Sequence, residues 1–211
     1  MPRLSRAEKQ AHIRSCLMHS AAKVFSRRGL QQASIDEVAE DAGYTKGAFY
    51  ANFKNKEELF LAMLDERFAG RFEEIERAAA SDADLGEQAR QAGTDFTNYL
   101  STDPEWQRLF FEFGAYATRN EDFRQELVTR YRALRERIAE IYARSAEQTG
   151  VDPPVPVDQV AVMTFAMANG IAFEKLLEPE VVTEDSYGTM LAIFFRGLAA
   201  MVEDTEAQAA R

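Results

Sequence analysis

Between residues 5 and 28 the apolar side chains Ile13, Leu17, Ala21, Val24 and Phe25 fall three or four positions apart, and Gly29 follows them. That spacing gathers them on one face of a helix and predicts an amphipathic helix stopped by the glycine. In "SIDE", Ser34 and Glu37 stand three apart as a capping box, so a short helix is expected from about Ile35 to near Asp41, turning Val38 and Ala39 inward. Ala42-Gly43-Tyr44 then reads as a turn whose glycine can take a positive φ. Thr45 is placed to cap another short helix, and Asn55 with Glu58 opens a longer one through Glu74 and beyond. No stretch alternates convincingly with period two, so the pattern predicts an all-α fold.

Further along, Asp103-Pro104-Glu105 places a proline in the first turn of a helix whose stripe is Trp106, Leu109, Phe110, Phe113 and Ala117, with Tyr116 at its edge. Such a stripe usually becomes core. Together with Met163 and Met167, however, Trp106, Phe110, Phe113 and Tyr116 could also line an apolar cavity, since methionine adapts its shape. "VAVMTFAMANGIAF", residues 160 to 173, is apolar on nearly every side and shorter than the roughly 18 residues a membrane span requires. It predicts a helix buried against its own body on one side and against something else on the other. A last helix, capped by Thr183, carries Tyr187, Met190, Leu191, Phe194 and Leu198 at helical spacing. Phe165, Ala168 and Ile171 on the first of these two helices, with that second row, are the expected dimer surface; two copies would make a four-helix interface.

Composition adds a division along the chain. The 211 residues carry a net charge of -10, yet residues 1–56 are net +5, with 10 Lys and Arg against 5 Asp and Glu, and the rest is net -15. A basic head on an acidic body favours one docking orientation on a polyanion. The single cysteine, Cys16, excludes an internal disulfide and fits a reducing cytoplasm. No apolar leader is visible at the N-terminus, and a soluble cytoplasmic protein without membrane contact is expected.

Two helices joined by a three-residue turn with glycine form a helix-turn-helix, whose second helix lies in the DNA major groove with its first residues at base edges. "AGYTKGAFYANFKNK", residues 42 to 56, suits that position because it holds no carboxylate. Thr45 and the helix amides can hold a phosphate, Lys46 can reach a guanine, and Gly47 and Ala48 allow close approach. Tyr50 can give its hydroxyl to a phosphate, and Lys54 and Lys56 can neutralise backbone charge; Tyr44 in the turn joins the candidate set. Phe49 and Phe53 would anchor this helix on its own core. Asp36 reads as a capping group facing away from the duplex, while Arg3, Arg6 and Lys9 could add charge from the side.

These features carry a resemblance. "AAKVFSRRGLQQASIDEVAEDAGYTKGAFYANFKNKEELFLAML" resembles the N-terminal region of the TetR family of bacterial transcriptional regulators, through Phe25, Gly29, Ser34, Ile35, Ala39, Ala42-Gly43, Thr45, Gly47, Tyr50, Phe53, Lys56 and Leu59. The resemblance implies a homodimer of all-helical subunits, each with a three-helix DNA-binding head, here residues 1–56, and a ligand-binding and dimerising antiparallel helical body, 57–211. By position it implies phosphate contacts from Ser34, Thr45, Tyr50 and Lys56, and base-facing positions for Lys46 and Gly47. Ala51 and Asn52 depart from the bulkier or histidine side chains of many members, which bears on the operator sequence. The function implied is a ligand-released repressor on a palindromic double-stranded DNA operator; the acidic excess and aromatics of the body suggest a neutral or cationic small lipophilic effector, while the arginines of "FRQELVTRYRALRER" could meet an acyl-CoA or fatty acid carboxylate instead. The competing reading is a non-specific, architectural DNA-binding protein without an effector.

Catalytic and metal chemistry find little purchase. His12, Cys16 and His19 share one helical face, but Lys9 and Lys23 share it too and no fourth ligand is placed to complete a site, so no metal is expected. The body has no histidine, which argues against an effector held through a histidine-coordinated metal. No Ser/His/Asp set, HExxH pair or phosphate loop after a strand is present, so neither an enzyme nor a cofactor is expected. Glu112, flanked by phenylalanines, reads as a solvent-facing carboxylate.

Overall fold

The computed structural model describes residues 5–80, 83, 85–150 and 153–209. Among them every regular element is a helix: α1 Arg6–Gln32, α2 Ile35–Asp41, α3 Lys46–Tyr50, α4 Lys56–Ala79, α5 Leu85–Thr102, α6 Pro104–Ala117, α7 Glu121–Thr149, α8 Val157–Leu177 and α9 Ser186–Ala209. The chain forms two compact units, Met1–Phe68 with Glu105–Val128, and Ala69–Pro104 with Thr129–Arg211. They divide inside α4 rather than at 56/57, and α6 goes with the head.

The reason lies in the core of the first unit. Leu17, Val24 and Phe25 of α1, Leu59, Phe60 and Leu64 of α4, and Trp106, Leu109 and Phe113 of α6 are all buried. The Phe60 ring stacks on Phe113 with centroids 3.6 Å apart and on Trp106 at 5.6 Å, while Phe25 meets Phe113 edge-on at 6.1 Å. Large rings bury the most apolar area per residue, so this cluster dominates the unit's cohesion. Polar ties reinforce it. The backbone leaves helical geometry at Gly29, with φ 75° and ψ 162°, which deprives the next amide of its intrahelical acceptor. Glu112 of α6 supplies one, taking the Leu30 N–H at 2.6 Å. Glu112 is therefore not the solvent-facing carboxylate expected from sequence. One turn further along α6, the Tyr116 hydroxyl donates to Glu57 at the start of α4 at 2.9 Å and accepts from Asn120 at 2.8 Å.

In the second unit α5 and α9 meet backbone to backbone. A Cβ added to Gly93 would lie 2.6 Å from the Gly188 nitrogen, and one added to Gly188 would lie 2.6 Å from the Arg90 carbonyl oxygen. The contact is pinned by Asp185, which pairs with Arg90 at 3.0 Å and accepts from Thr189 at 2.9 Å. Asp185 rather than Thr183 stands immediately before α9, and its carbonyl accepts from the Thr189 amide. Ala89, Val160, Tyr187, Leu191 and Phe195 form the buried core, with Met167, Ala168, Ile171, Phe194 and Leu198 packed against it. The Tyr187 hydroxyl donates to the Thr164 carbonyl at 2.7 Å, and burial pushes its pKa well above the ordinary value.

Of the expected dimer surface, Tyr187 and Leu191 are buried in this core, Ala168, Ile171, Phe194 and Leu198 are half-buried against it, Phe165 is half-buried edge-on to Tyr131 at 5.1 Å, and Met190 points outward. A helix apolar on every side gives periodicity no way to choose between inner and outer faces. The outward rows are Val162, Ala166, Gly170 and Leu177 on α8, and Met190, Ile193 and Gly197 on α9, all exposed. At 21 residues α8 also outruns the apolar run read from sequence, and by length and composition it could cross a membrane.

Gly93→Ala should destabilise the protein by roughly 1–3 kcal/mol, because the methyl group has backbone on its far side and nothing flexible to move. Gly70→Ala, mid-helix with nothing within 4 Å, should instead stabilise it by up to about 1 kcal/mol. Urea denaturation of the two variants beside the parent checks both signs.

Candidate nucleic-acid interface

Each reading element is held by its own cap. Ser34 accepts from the Glu37 amide at 3.1 Å while Glu37 takes the Ser34 amide at 2.9 Å, closing the capping box of α2. Glu37's pKa is lowered, chiefly by the Ser34 backbone hydrogen bond, so the cap is charged at neutral pH. Gly43 takes φ 75°, and the Tyr44 amide returns to the Ala39 carbonyl at 2.8 Å. A side chain at Gly43 would be strained in that conformation. Thr45 caps α3 through the Ala48 amide at 3.2 Å, and Asn55 caps α4 through the Glu58 amide at 2.8 Å. Phe49 and Phe53 are buried, as anchors should be, with ring centroids 5.8 Å apart. Arg14 of α1 stacks its guanidinium 4.1 Å from the Phe53 ring centre and donates to the Asn52 carbonyl at 2.9 Å, fastening the end of α3 to α1.

What remains outward is the surface of α3. Thr45, Lys46, Gly47 and Tyr50 are exposed, Tyr50 by 52%, and Ala48 is half-buried beside them. Lys54 is exposed, while its amide donates to Glu58 at 2.6 Å. Three expected contacts are placed differently. Lys56 is half-buried, with its ammonium on the carbonyl oxygens of Leu30 at 2.7 Å and Ala33 at 2.9 Å. It closes the C-terminal end of α1, which leaves one of its three donors for a phosphate. Ser34 spends its hydroxyl on Glu37, accepting from the amide and donating to the carboxylate at 3.1 Å. Tyr44 leans on α1, where burial and the Cys16 thiol raise its pKa. Cys16 in turn lies 3.7 Å from His12 Nε2.

Asp36 departs most from expectation. Ser34 and Glu37 make the cap, whereas Asp36 reaches across to α3, its Oδ2 2.9 Å from Lys46 Nζ. It stands beside α3, and its hydrogen bond raises the Lys46 pKa. Beside α3 the first turns of α1 contribute Arg6, Lys9, Gln10 and Ile13 to an open groove of about 460 Å³, completed by Ala48, Ala51 and Asn52. Ser5 and Glu8 close a capping box at this end, which fixes Arg6 and Lys9 on an ordered helix. The "SRAE" spacing in the sequence was the available signal for it. Arg3 lies outside the described residues.

The expected effector residues are divided between the two units. Trp106 and Phe113 are buried in the stack on Phe60, Tyr116 is tied to Glu57, and Phe110 is half-buried edge-on to Phe111 at 5.4 Å, all in the first unit. Met163 is exposed on α8 and Met167 packs on the core of the second unit. That second interior instead surrounds Arg71, whose side chain is 13% exposed, paired with Glu74, and set over the rings of Phe96 at 5.0 Å and Tyr99 at 5.3 Å.

Comparison with known proteins bears on both ends of the chain. Residues 17–63 match the model for bacterial regulatory proteins of the tetR family, and residues 86–202 match that for the C-terminal region of BetI-type transcriptional repressors. The HTH-type transcriptional regulator YfiR of Bacillus subtilis is 24% identical over 172 residues, covering 78% of each chain. The HTH-type transcriptional activator FasR of Mycolicibacterium smegmatis is 33% identical over 110 residues, 52% of this chain and 48% of its own. Among solved structures, Salmonella enterica GusR shares the fold with a TM-score of 0.77 at 18% identity, covering 93% of this chain and 98% of its own. Bacillus subtilis FadR, solved with stearoyl-CoA, shares it with a TM-score of 0.71 at 16% identity, covering 84% and 95%.

Lys54→Ala should leave stability unchanged and lower the slope of log affinity against log salt by about 1, as expected for one lost phosphate contact. Lys56→Ala should cost roughly 1–3 kcal/mol of stability, since it leaves two carbonyls without their charged donor. Binding titrations over a salt series, with thermal melts of both variants, separate the two roles.

Proposed function

The chain belongs to the tetR family of bacterial regulatory proteins and is a DNA-binding transcriptional regulator, and we propose that it represses transcription as a homodimer on a palindromic operator, which it leaves when a small lipophilic molecule enters its body. The observation that carries this reading is the surface of α3: an exposed helix with lysine at its first position, capped by Thr45 and anchored by Phe49 and Phe53. Thr45, Gly47, Ala48, Tyr50 and Lys54 are its proposed DNA contacts beside Lys46, with Lys56 adding its remaining donor.

The dimer reading is supported by the outward rows of α8 and α9. Val162, Leu177, Met190 and Ile193 are large and apolar, and Ile193 is 66% exposed. Ala166, Gly170 and Gly197 between them are small enough to admit a facing helix. A second copy pairing the same two helices closes a four-helix interface under two-fold symmetry. It would set two reading helices one DNA turn, about 34–36 Å, apart. The match to the BetI-type C-terminal region, which takes in α8 and α9 as far as residue 202, favours a second copy over lipid as the cover for α8.

For the effector, support comes from the aromatic interior around Arg71. A guanidinium held there by one carboxylate and two ring faces could pair with the head of an amphipathic acid, whose tail would replace packed side chains. The stearoyl-CoA held by FadR is a ligand of that chemistry. Binding that differs between two arrangements of the dimer by a few kcal/mol is enough to release DNA.

Sedimentation equilibrium should place the protein at twice the 23.8 kDa chain mass and Ile193→Asp at the chain mass itself. The variant should need at least about ten-fold more protein to retard duplexes that the parent selects, because one head then binds without its partner. An Ile193→Asp protein that stays dimeric would refute the α8/α9 interface. Native mass spectrometry of the parent should reveal a co-purified lipophile that lowers DNA affinity when added back; a lipophile without effect on DNA binding would remove the effector from the account.

A further inference from the structure

The pairing of Asp36 with Lys46 is unexplained by a surface that binds phosphate. Both side chains are open to solvent, 62% and 55% exposed, and ion pairs of that kind add little to stability. A carboxylate also makes approach to a polyanion less favourable. Three other acids of the head have structural work: Glu8 and Glu37 close capping boxes, and Asp41 answers Arg27 at 3.2 Å. Asp36 is spent on the first residue of the reading helix, the position that meets base edges.

We propose that Asp36 and Lys46 act as one reader of a single G·C pair in each half-site. Lys46 donates to N7 and O6 of the guanine, and Asp36 accepts from the N4 amino group of its cytosine. In the major groove a G·C pair presents acceptor, acceptor, donor in a row, while an A·T pair presents acceptor, donor, acceptor. An ammonium offers only donors and a carboxylate only acceptors, and here the two sit side by side at 2.9 Å. That arrangement complements G·C in one orientation. Against A·T the central N6 amino group would face the ammonium, and against the reversed pair each group would meet its like. The ion pair also orders the flexible lysine before DNA arrives, and the lysine balances the charge that would otherwise repel phosphate.

This inference rests on the sequence-specific regulator reading, and selection from a randomised duplex library tests it. The parent, Asp36→Ala, Asp36→Asn and Lys46→Ala are each used as full-length proteins, with melting curves to confirm that they fold. The parent should enrich an inverted repeat with one fixed G·C position per half-site. Asp36→Ala should relax discrimination at that position about ten-fold or more and leave the other positions unchanged. Lys46→Ala should degrade the same position. Asp36→Asn, whose amide also donates, should relax only the exclusion of an acceptor opposite residue 36, while Lys46 keeps the exclusion of the A·T amino group. A motif unchanged by Asp36→Ala, or tightened equally at every position, overturns the inference alone. A library in which the folded parent enriches nothing overturns the regulator reading and this inference together.

Discussion

The Phe60 ring, held between Trp106 and Phe113, is the contact on which the first unit depends. It joins α4 to α6, and Phe25 on the edge of Phe113 brings in α1. Stacked and edge-on aromatics of this size are sensitive to displacement because a shifted ring loses many small dispersion contacts at once. Polar ties follow the same path: Glu112 holds the Leu30 amide, Lys56 holds the Leu30 carbonyl, and Tyr116 holds Glu57. One peptide segment after Gly29 is thus gripped by α6 from one side and by α4 from the other. α3 and α6 belong to one unit.

That grouping was not legible in the sequence, and the reasons are physical. Caps and turns are local, so the Ser34 box, the Gly43 turn, the Thr45 and Asn55 caps and the Pro104 start could be read directly. The buried anchors Phe49 and Phe53 follow from spacing alone. Side chains that satisfy distant backbone groups leave no local trace. Lys56 looks like a phosphate ligand until its two carbonyl partners, over twenty residues earlier, are seen. Glu112 looks like a flank residue until the kink at Gly29 leaves an amide to be filled.

The second unit shows the limit of periodicity. Spacing placed Tyr187, Leu191 and Phe194 on one row, correctly, but a row has no label for inside or outside when the neighbouring helix is apolar all round. Gly93 and Gly188 carried no signal either, because the reason for a glycine there is the backbone of the facing helix, at Gly188 for the one and at Arg90 for the other. The aromatic stripe of α6 allowed both a packed core and a cavity wall from sequence, and Trp106, Leu109 and Phe113 pack in the core of the first unit.

The outward chemistry of α3 joins a fixed scaffold to a function that depends on sequence. Sheared genomic DNA from the source organism, incubated with the full-length protein at moderate salt and sequenced after recovery, addresses that dependence directly. The account predicts a few enriched sites sharing an inverted repeat, with half-site centres about 34–36 Å apart or a multiple of one turn. Uniform recovery of all fragments, vanishing as salt rises, would mean that the head only neutralises phosphate and would contradict the account.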